Sequence, residues 1–69
     1  MMYTINLHEV GVETVKRGVS TPFEQIKTGC YKTARKTALE FTADDHHISA
    51  VIVNIETGNR LYFQDGKEV

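Results

Sequence analysis

Four consecutive residues form the densest group of metal-ligating side chains in this sequence: Asp44, Asp45, His46 and His47. Carboxylates and imidazoles are ligands that zinc and nickel accept. Structural zinc sites, however, use cysteine and histidine pairs that are spaced along the chain, and this run lacks such spacing. We therefore interpret it as a solvated loop whose histidines give some sensitivity to pH near neutrality. We expect no metal ion and no other cofactor.

The remaining residue types that could do covalent or acid–base chemistry do not combine into a catalytic group. His8 and Glu9 are adjacent on an extended segment, so their side chains point to opposite faces. Cys30 stands near the start of a predicted helix, where its thiol pKa could be lowered, but a small residue beside the core is the commoner role. The sequence also has no glycine-rich phosphate loop and no nucleophile elbow. These patterns predict a binding protein rather than an enzyme.

The main concentration of like charge is the basic cluster Lys32, Arg35 and Lys36. Spacings of three and four residues place these side chains on one surface of a helix. Lys27 and the pair Lys16-Arg17 would add to this cluster if the fold brought them near. One interpretation is a patch that contacts phosphates or an acidic protein, and the other is an ordinary solvated helix face.

Composition limits the class of protein. The chain has 69 residues, 41% hydrophobic and 25% charged, with a net charge of −1, which predicts a single globular domain over residues 1–69. The first residues lack the basic and apolar regions of a signal peptide, so we expect none there, and no apolar run approaches the roughly 20 residues of a membrane span. One cysteine allows no internal disulfide, so we expect an intracellular, reducing compartment.

The first third of the chain reads as extended structure. Tyr3–Val10 alternates with period two and predicts a half-buried strand, with Tyr3, Ile5 and Leu7 on the core face. Val12–Val19 is a weaker strand candidate that ends near Gly18. Ser20-Thr21-Pro22 breaks it, because proline cannot donate to a sheet ladder. Phe23–Thr28 predicts either a further short strand or an extended lead-in to the next element.

The clearest helix is predicted over about Cys30–Phe41, with Thr28 as its candidate N-cap. Helical spacing places an apolar stripe on one face, and the small alanines within it would let the helix approach a sheet closely. The apolar stripe consists of Tyr31, Ala34, Ala38 and Phe41. Cys30 and Thr37 would lie beside it.

The last third predicts a loop followed by strands. Thr42–His47 is polar and reads as the loop, and Ile48–Ile55 is apolar on both faces, as in a central strand. Arg60–Gln64 is the return strand, and Asp65-Gly66 is a tight-turn dipeptide before a short strand from Lys67. The order of elements predicts an α+β fold, a mainly antiparallel sheet of about four to five strands with one α-helix packed on one face.

Several short segments together resemble a family of small phage proteins. In the last third these are Ile55-Glu56-Thr57-Gly58, Leu61 and Asp65-Gly66-Lys67. Upstream, Tyr3-x-Ile5, Glu9-Val10 and Ala34-Arg35-Lys36-x-Ala38 fit the same frame. Along most of its length the chain thus resembles an anti-CRISPR protein of the type I-F inhibitors.

The resemblance implies a stoichiometric inhibitor that binds the backbone subunits of an RNA-guided surveillance complex and blocks hybridisation of target DNA. It further implies the bacterial host cytoplasm as the location and double-stranded DNA as a second ligand. Carried over to this sequence, the partner-binding residues are Arg35, Lys36 and Lys67, and helix geometry adds Lys32. The sequence departs from the family where Glu40 and Glu68 place acids near these positions.

Two other functions are compatible with the same residues. The first is a small nucleic-acid-binding or regulatory module that uses the basic helix face. The second is an accessory protein that self-associates through an exposed sheet edge. The alternatives differ in the expected partner: a protein complex, a nucleic acid or a second copy of the chain.

Overall fold

Five strands and two helices make up the chain in a computed structural model that describes residues 1–69. In chain order they are β1 (Tyr3–His8), α1 (Val12–Lys16), β2 (Glu24–Thr28), α2 (Tyr31–Asp44), β3 (Ser49–Asn54), β4 (Arg60–Gln64) and β5 (Lys67–Glu68). The strands form one sheet in the order β2-β1-β3-β4-β5, and all neighbours are antiparallel. The predicted α+β class is confirmed.

The sheet is organised around β1 and β3. Ile5 of β1 lies opposite Ile26 of β2 on one side and Ile52 of β3 on the other. Because β2 and β3 are both antiparallel to β1, they are parallel to each other, and α2 connects them as the crossover of a split βαβ unit. β3 occupies the middle of the sheet, as the run Ile48–Ile55 predicts.

The predicted strand Val12–Val19 is wrong: its first part forms the short helix α1. Val12 and Val15 are three residues apart, share one helix face and are both buried, so burial on the sheet overrides the strand preference of valine. The helix ends at Lys16, and Gly18, two residues later, has a φ of 75° that is accessible to glycine without strain.

The predicted helix over Cys30–Phe41 is confirmed, but it begins one residue later and continues to Asp44. Thr42 therefore does not belong to the loop and is fully buried. It lies four residues after Ala38 on the same face, and its hydroxyl donates to the Ala38 carbonyl at 2.8 Å. Cys30 rather than Thr28 occupies the N-cap position, and no side chain caps this end. Neither helix has the length and apolar character needed to cross a membrane.

The core lies between α2 and one face of the sheet. Ala34 and Ala38 are fully buried, which is the close approach that the small residues predict. From the same predicted stripe, Phe41 is only partly buried and Tyr31 is 40% exposed. The buried hydrophobic core consists of Ile5, Leu7, Ala34, Ala38, Ala50, Ile52 and Phe63.

The last two strands meet at the turn that Asp65-Gly66 predicts. Both residues have positive φ, 56° and 74°, as two-residue hairpin turns of this twist require. The turn packs on the end of α2, where the Gly66 N–H donates to the Thr42 hydroxyl at 3.1 Å. The final hairpin is thereby fixed against the helix.

Candidate functional site

The outer surface of α2 carries three of the four predicted partner-binding residues. Lys32 is exposed and forms no ion pair. The Lys36 ammonium lies 3.9 Å from Glu40, one turn further along the helix. Arg35 differs from both, because its Nη1 donates to Oε1 of Glu68 on β5 at 2.7 Å.

Arg35 thus has a structural contact within the chain. Its guanidinium lies 5.5 Å from the centre of the Phe63 ring, within the range of a cation–π contact. The hydrogen bond that the guanidinium donates to Glu68 is the main reason that the pKa of Arg35 is raised. Glu40 and Glu68 are the partners of Lys36 and Arg35. The helix surface is consequently less positive than its sequence indicates.

The fourth residue, Lys67, lies on the other face of the sheet. It pairs with Gln64, while its neighbour Glu68 pairs with the core residue Phe63. Successive side chains of a strand point to opposite faces, so Lys67 points away from α2. Lys27 pairs with Thr4, also on the face away from α2, and does not extend the helix cluster.

An open pocket of about 200 Å³ lies between the start of α2 and the β3–β4 hairpin. The rings of Tyr3 and Tyr31 form one wall, with their centres 5.5 Å apart and their planes inclined by 55°. The complete lining is Tyr3, Tyr31, Ile52, Asn54, Asn59 and Leu61. Sequence reasoning missed this pocket because it depends on which strand pairs with which.

Cys30 is exposed, which contradicts the expected position beside the core. It precedes the first turn of α2, whose inward positions begin only at Ala34. A hydrogen bond with the Thr33 side chain is the main reason that the pKa of the Cys30 thiol is lowered. The thiol is accessible to solvent, as a reactive thiol must be.

His8 is buried, although the alternation of β1 places it on the face that reads as polar. Its Nδ1 lies 2.9 Å from the Ser20 hydroxyl, which belongs to the segment after α1. Burial lowers the pKa of His8. No local pattern in the sequence predicts this burial, because it depends on α1 and the following segment covering that end of the sheet.

The run Asp44–His47 lies partly at the end of α2 and partly in the loop that follows it. Asp44 ends α2, and the next three residues are exposed. The ligand atoms of Asp45, His46 and His47 lie within 4.8 Å of one another, and the His47 N–H donates to the Asp45 carboxylate at 2.9 Å. The predicted solvated loop is confirmed for these three residues.

No protein-family model matches the chain, and no curated protein or solved structure matches it either.

Proposed function

We propose that this chain is a non-catalytic anti-CRISPR inhibitor, which binds the backbone subunits of a type I-F surveillance complex and blocks hybridisation of target DNA. The observation that carries the proposal is the contact between Arg35 and Glu68 at 2.7 Å. It joins α2 to the last strand, so the helix and the final hairpin form one continuous surface. A surface that is ordered before binding loses less conformational entropy in the complex.

The contact region is centred on the start of α2. Tyr31 is 40% exposed and borders the open pocket, and Lys32 follows it with no acidic partner in the chain. Tyrosines beside a pocket are typical anchors of protein interfaces, because they bury a large ring at low entropic cost. We assign Tyr31 and Lys32 the central role, with Lys36 at the edge.

Inhibition would follow from occupancy alone. The molecule measures 28 × 23 × 20 Å, which is large enough to obstruct a channel that holds a guide–target duplex. The backbone subunits of such a complex lie in the bacterial cytoplasm, and the proposal places the inhibitor there. Double-stranded DNA is a second ligand in the proposal, in keeping with the resemblance.

The proposal is tested by capture of the complex. The tagged chain is expressed with a type I-F surveillance complex, purified and assayed for co-purifying subunits and for binding of target DNA. We expect capture of the complex and loss of target binding. The variant Tyr31→Ala with Lys32→Glu should lose capture, since it removes both the ring and the free cation.

The matched control is Lys27→Glu, which reverses one charge on the opposite face of the sheet and should retain capture. Equal capture by the Tyr31 and Lys32 variant would contradict the proposed surface, and absence of capture by the unaltered chain would contradict the function. A molecular mass that rises with concentration would favour the self-associating alternative instead.

A further inference from the structure

The charged residues within the strands are separated by sign between the two faces of the sheet. Five residues within the strands are Lys, Arg, Asp or Glu: Lys27, Arg60, Lys67, Glu24 and Glu68. The register places both acids on the α2 face, Glu24 opposite Leu7 and Glu68 opposite Phe63. All three cations lie on the other face, opposite Thr4, Val53 and Gln64.

These cations are not neutralised within the chain. None of Lys27, Arg60 and Lys67 forms an ion pair, and neither does Lys16, which α1 adds to the same face. The helix surface differs, because Arg35 there is held by an acid at 2.7 Å. We name the surface formed by Lys16, Lys27, Arg60 and Lys67 the basic sheet face.

Helix α1 covers only one end of this face. It packs on β3 and β4, and its Val12 N–H donates to the Gln64 side chain at 3.1 Å. The other end, where Lys27 and Arg60 are exposed, has no helix above it. These two residues are on β2 and β4, three strand spacings apart, which is about 14 Å.

Polar and aromatic groups lie between the cations. Tyr62 is partly exposed, and the Lys16 ammonium lies 5.2 Å from the centre of its ring. Gln25 of β2 lies opposite Asn6 of β1, and its side-chain amide donates a hydrogen bond to the Asn6 amide oxygen at 2.9 Å. The face thus combines cations, an aromatic ring and amides without a carboxylate in any strand position.

We propose that the basic sheet face binds single-stranded nucleic acid. Cations attract the phosphates, and an aromatic ring on an open sheet offers a surface on which an unpaired base can stack. Lys16 can leave the Tyr62 ring for a phosphate when a base takes its place. A duplex would gain only the attraction between its phosphates and the cations, because its bases are already stacked on each other.

An acidic protein segment is the competing ligand for positive charge. The ring and the amide pair favour nucleic acid over it, since bases present both flat faces and hydrogen-bonding edges. The inference does not depend on the proposed inhibitor function. It concerns the opposite face of the molecule and is tested on the purified chain alone.

The experiment measures fluorescence anisotropy of a labelled oligothymidylate of about 12 nucleotides, long enough for a small sheet module, titrated with the purified chain. We expect saturable binding that weakens as salt is raised, with a slope of about −0.7 per phosphate contact. The double variant Lys27→Ala with Arg60→Ala should reduce that slope by about 1.4. Tyr62→Leu should weaken binding at least about fivefold through lost stacking.

The matched control is Lys32→Ala with Lys36→Ala, which removes the same charge from the α2 surface and should bind as the unaltered chain does. Circular dichroism spectra and thermal midpoints of all variants establish that they are folded. Absence of binding, or equal weakening in the control, would overturn the proposal. Tighter binding of a duplex, or equal competition by a polyglutamate peptide, would overturn the choice of ligand.

Discussion

The Arg35 guanidinium on α2 and the Glu68 carboxylate on β5 lie 2.7 Å apart, and both side chains are partly exposed. This pair connects the helix to a strand of only two residues, both of which are exposed. The backbone bond from the Val69 N–H to the Tyr62 carbonyl, at 2.9 Å, closes the same hairpin. We therefore expect the pair to affect the order of the C-terminal end more than the global stability.

The first prediction concerns that pair. In a double-mutant cycle of Arg35→Ala and Glu68→Ala, we expect a small favourable coupling that decreases as salt is added, because the pair is partly exposed. Amide hydrogen exchange at Val69 should become faster in either single variant, since β5 opens more often. Zero coupling together with unchanged exchange at Val69 would show that the ion pair does not anchor the strand.

The second prediction compares two glycines with similar backbone angles. Gly58 and Gly66 have φ of 79° and 74°, so alanine is strained at either position by about 1–2 kcal/mol. A Cβ at Gly66 would also lie 2.9 Å from the Cβ of Ala43, whereas one at Gly58 would meet no atom within 4 Å. In urea denaturation, Gly66→Ala should cost about 1–3 kcal/mol more than Gly58→Ala through overpacking. Equal losses would mean that the turn moves away from α2 at little cost.

Local patterns in the sequence predict most elements here because they match the environment of those elements. The alternation with period two over Tyr3–Val10 indicates which face of β1 is buried, and the alanines indicate which face of α2 is buried. The predicted strand over Val12–Val19 is wrong because α1 contains only five residues, fewer than two helical turns. The structure of so short a segment is determined by the surface on which it packs. Thr42 was placed in a loop by its polarity, although its hydroxyl is satisfied inside the helix.

The surface could be predicted less well than the fold. Lys32, Arg35 and Lys36 were placed correctly on one helix, but the acid that holds Arg35 lies 33 residues away in sequence. The separation of Lys27 and Arg60 from the acids of the strands depends on strand register, which is set by pairing across the whole sheet. Charge clusters in a sequence therefore indicate surface position but not which charges remain free.

The third prediction concerns Thr42, whose hydroxyl joins α2 to the final turn. It donates to the Ala38 carbonyl and accepts from the Gly66 N–H. Thr42→Val keeps the shape but leaves the Gly66 N–H without its acceptor, so we expect a loss of about 1–3 kcal/mol in the free energy of unfolding. Thr42→Ser keeps the hydroxyl and loses only a buried methyl group, at a cost of about 1 kcal/mol. A smaller loss for valine than for serine would show that the bond to Gly66 contributes little.

The fourth prediction concerns His8 and pH. Burial lowers the pKa of His8 below its unfolded value of about 6.5. Between those two values the unfolded chain binds more protons than the folded chain, so the free energy of unfolding rises with pH through this window. The contribution of neutral His8 is complete above the unfolded pKa and is lost as pH falls toward the folded pKa. We therefore expect the thermal midpoint to fall as the solution is acidified from about pH 7.5 to pH 5.5.

The variant His8→Asn tests the assignment, because asparagine keeps a polar partner for Ser20 but does not titrate. It should lower the thermal midpoint at neutral pH and reduce the dependence on pH between about 7.5 and 5.5. The matched control is His46→Asn with His47→Asn, since both rings are exposed in the loop after α2 and their removal should leave the dependence in place. If the control flattens the pH profile and His8→Asn does not, the loop histidines and not the buried imidazole are responsible for the loss of stability in acid.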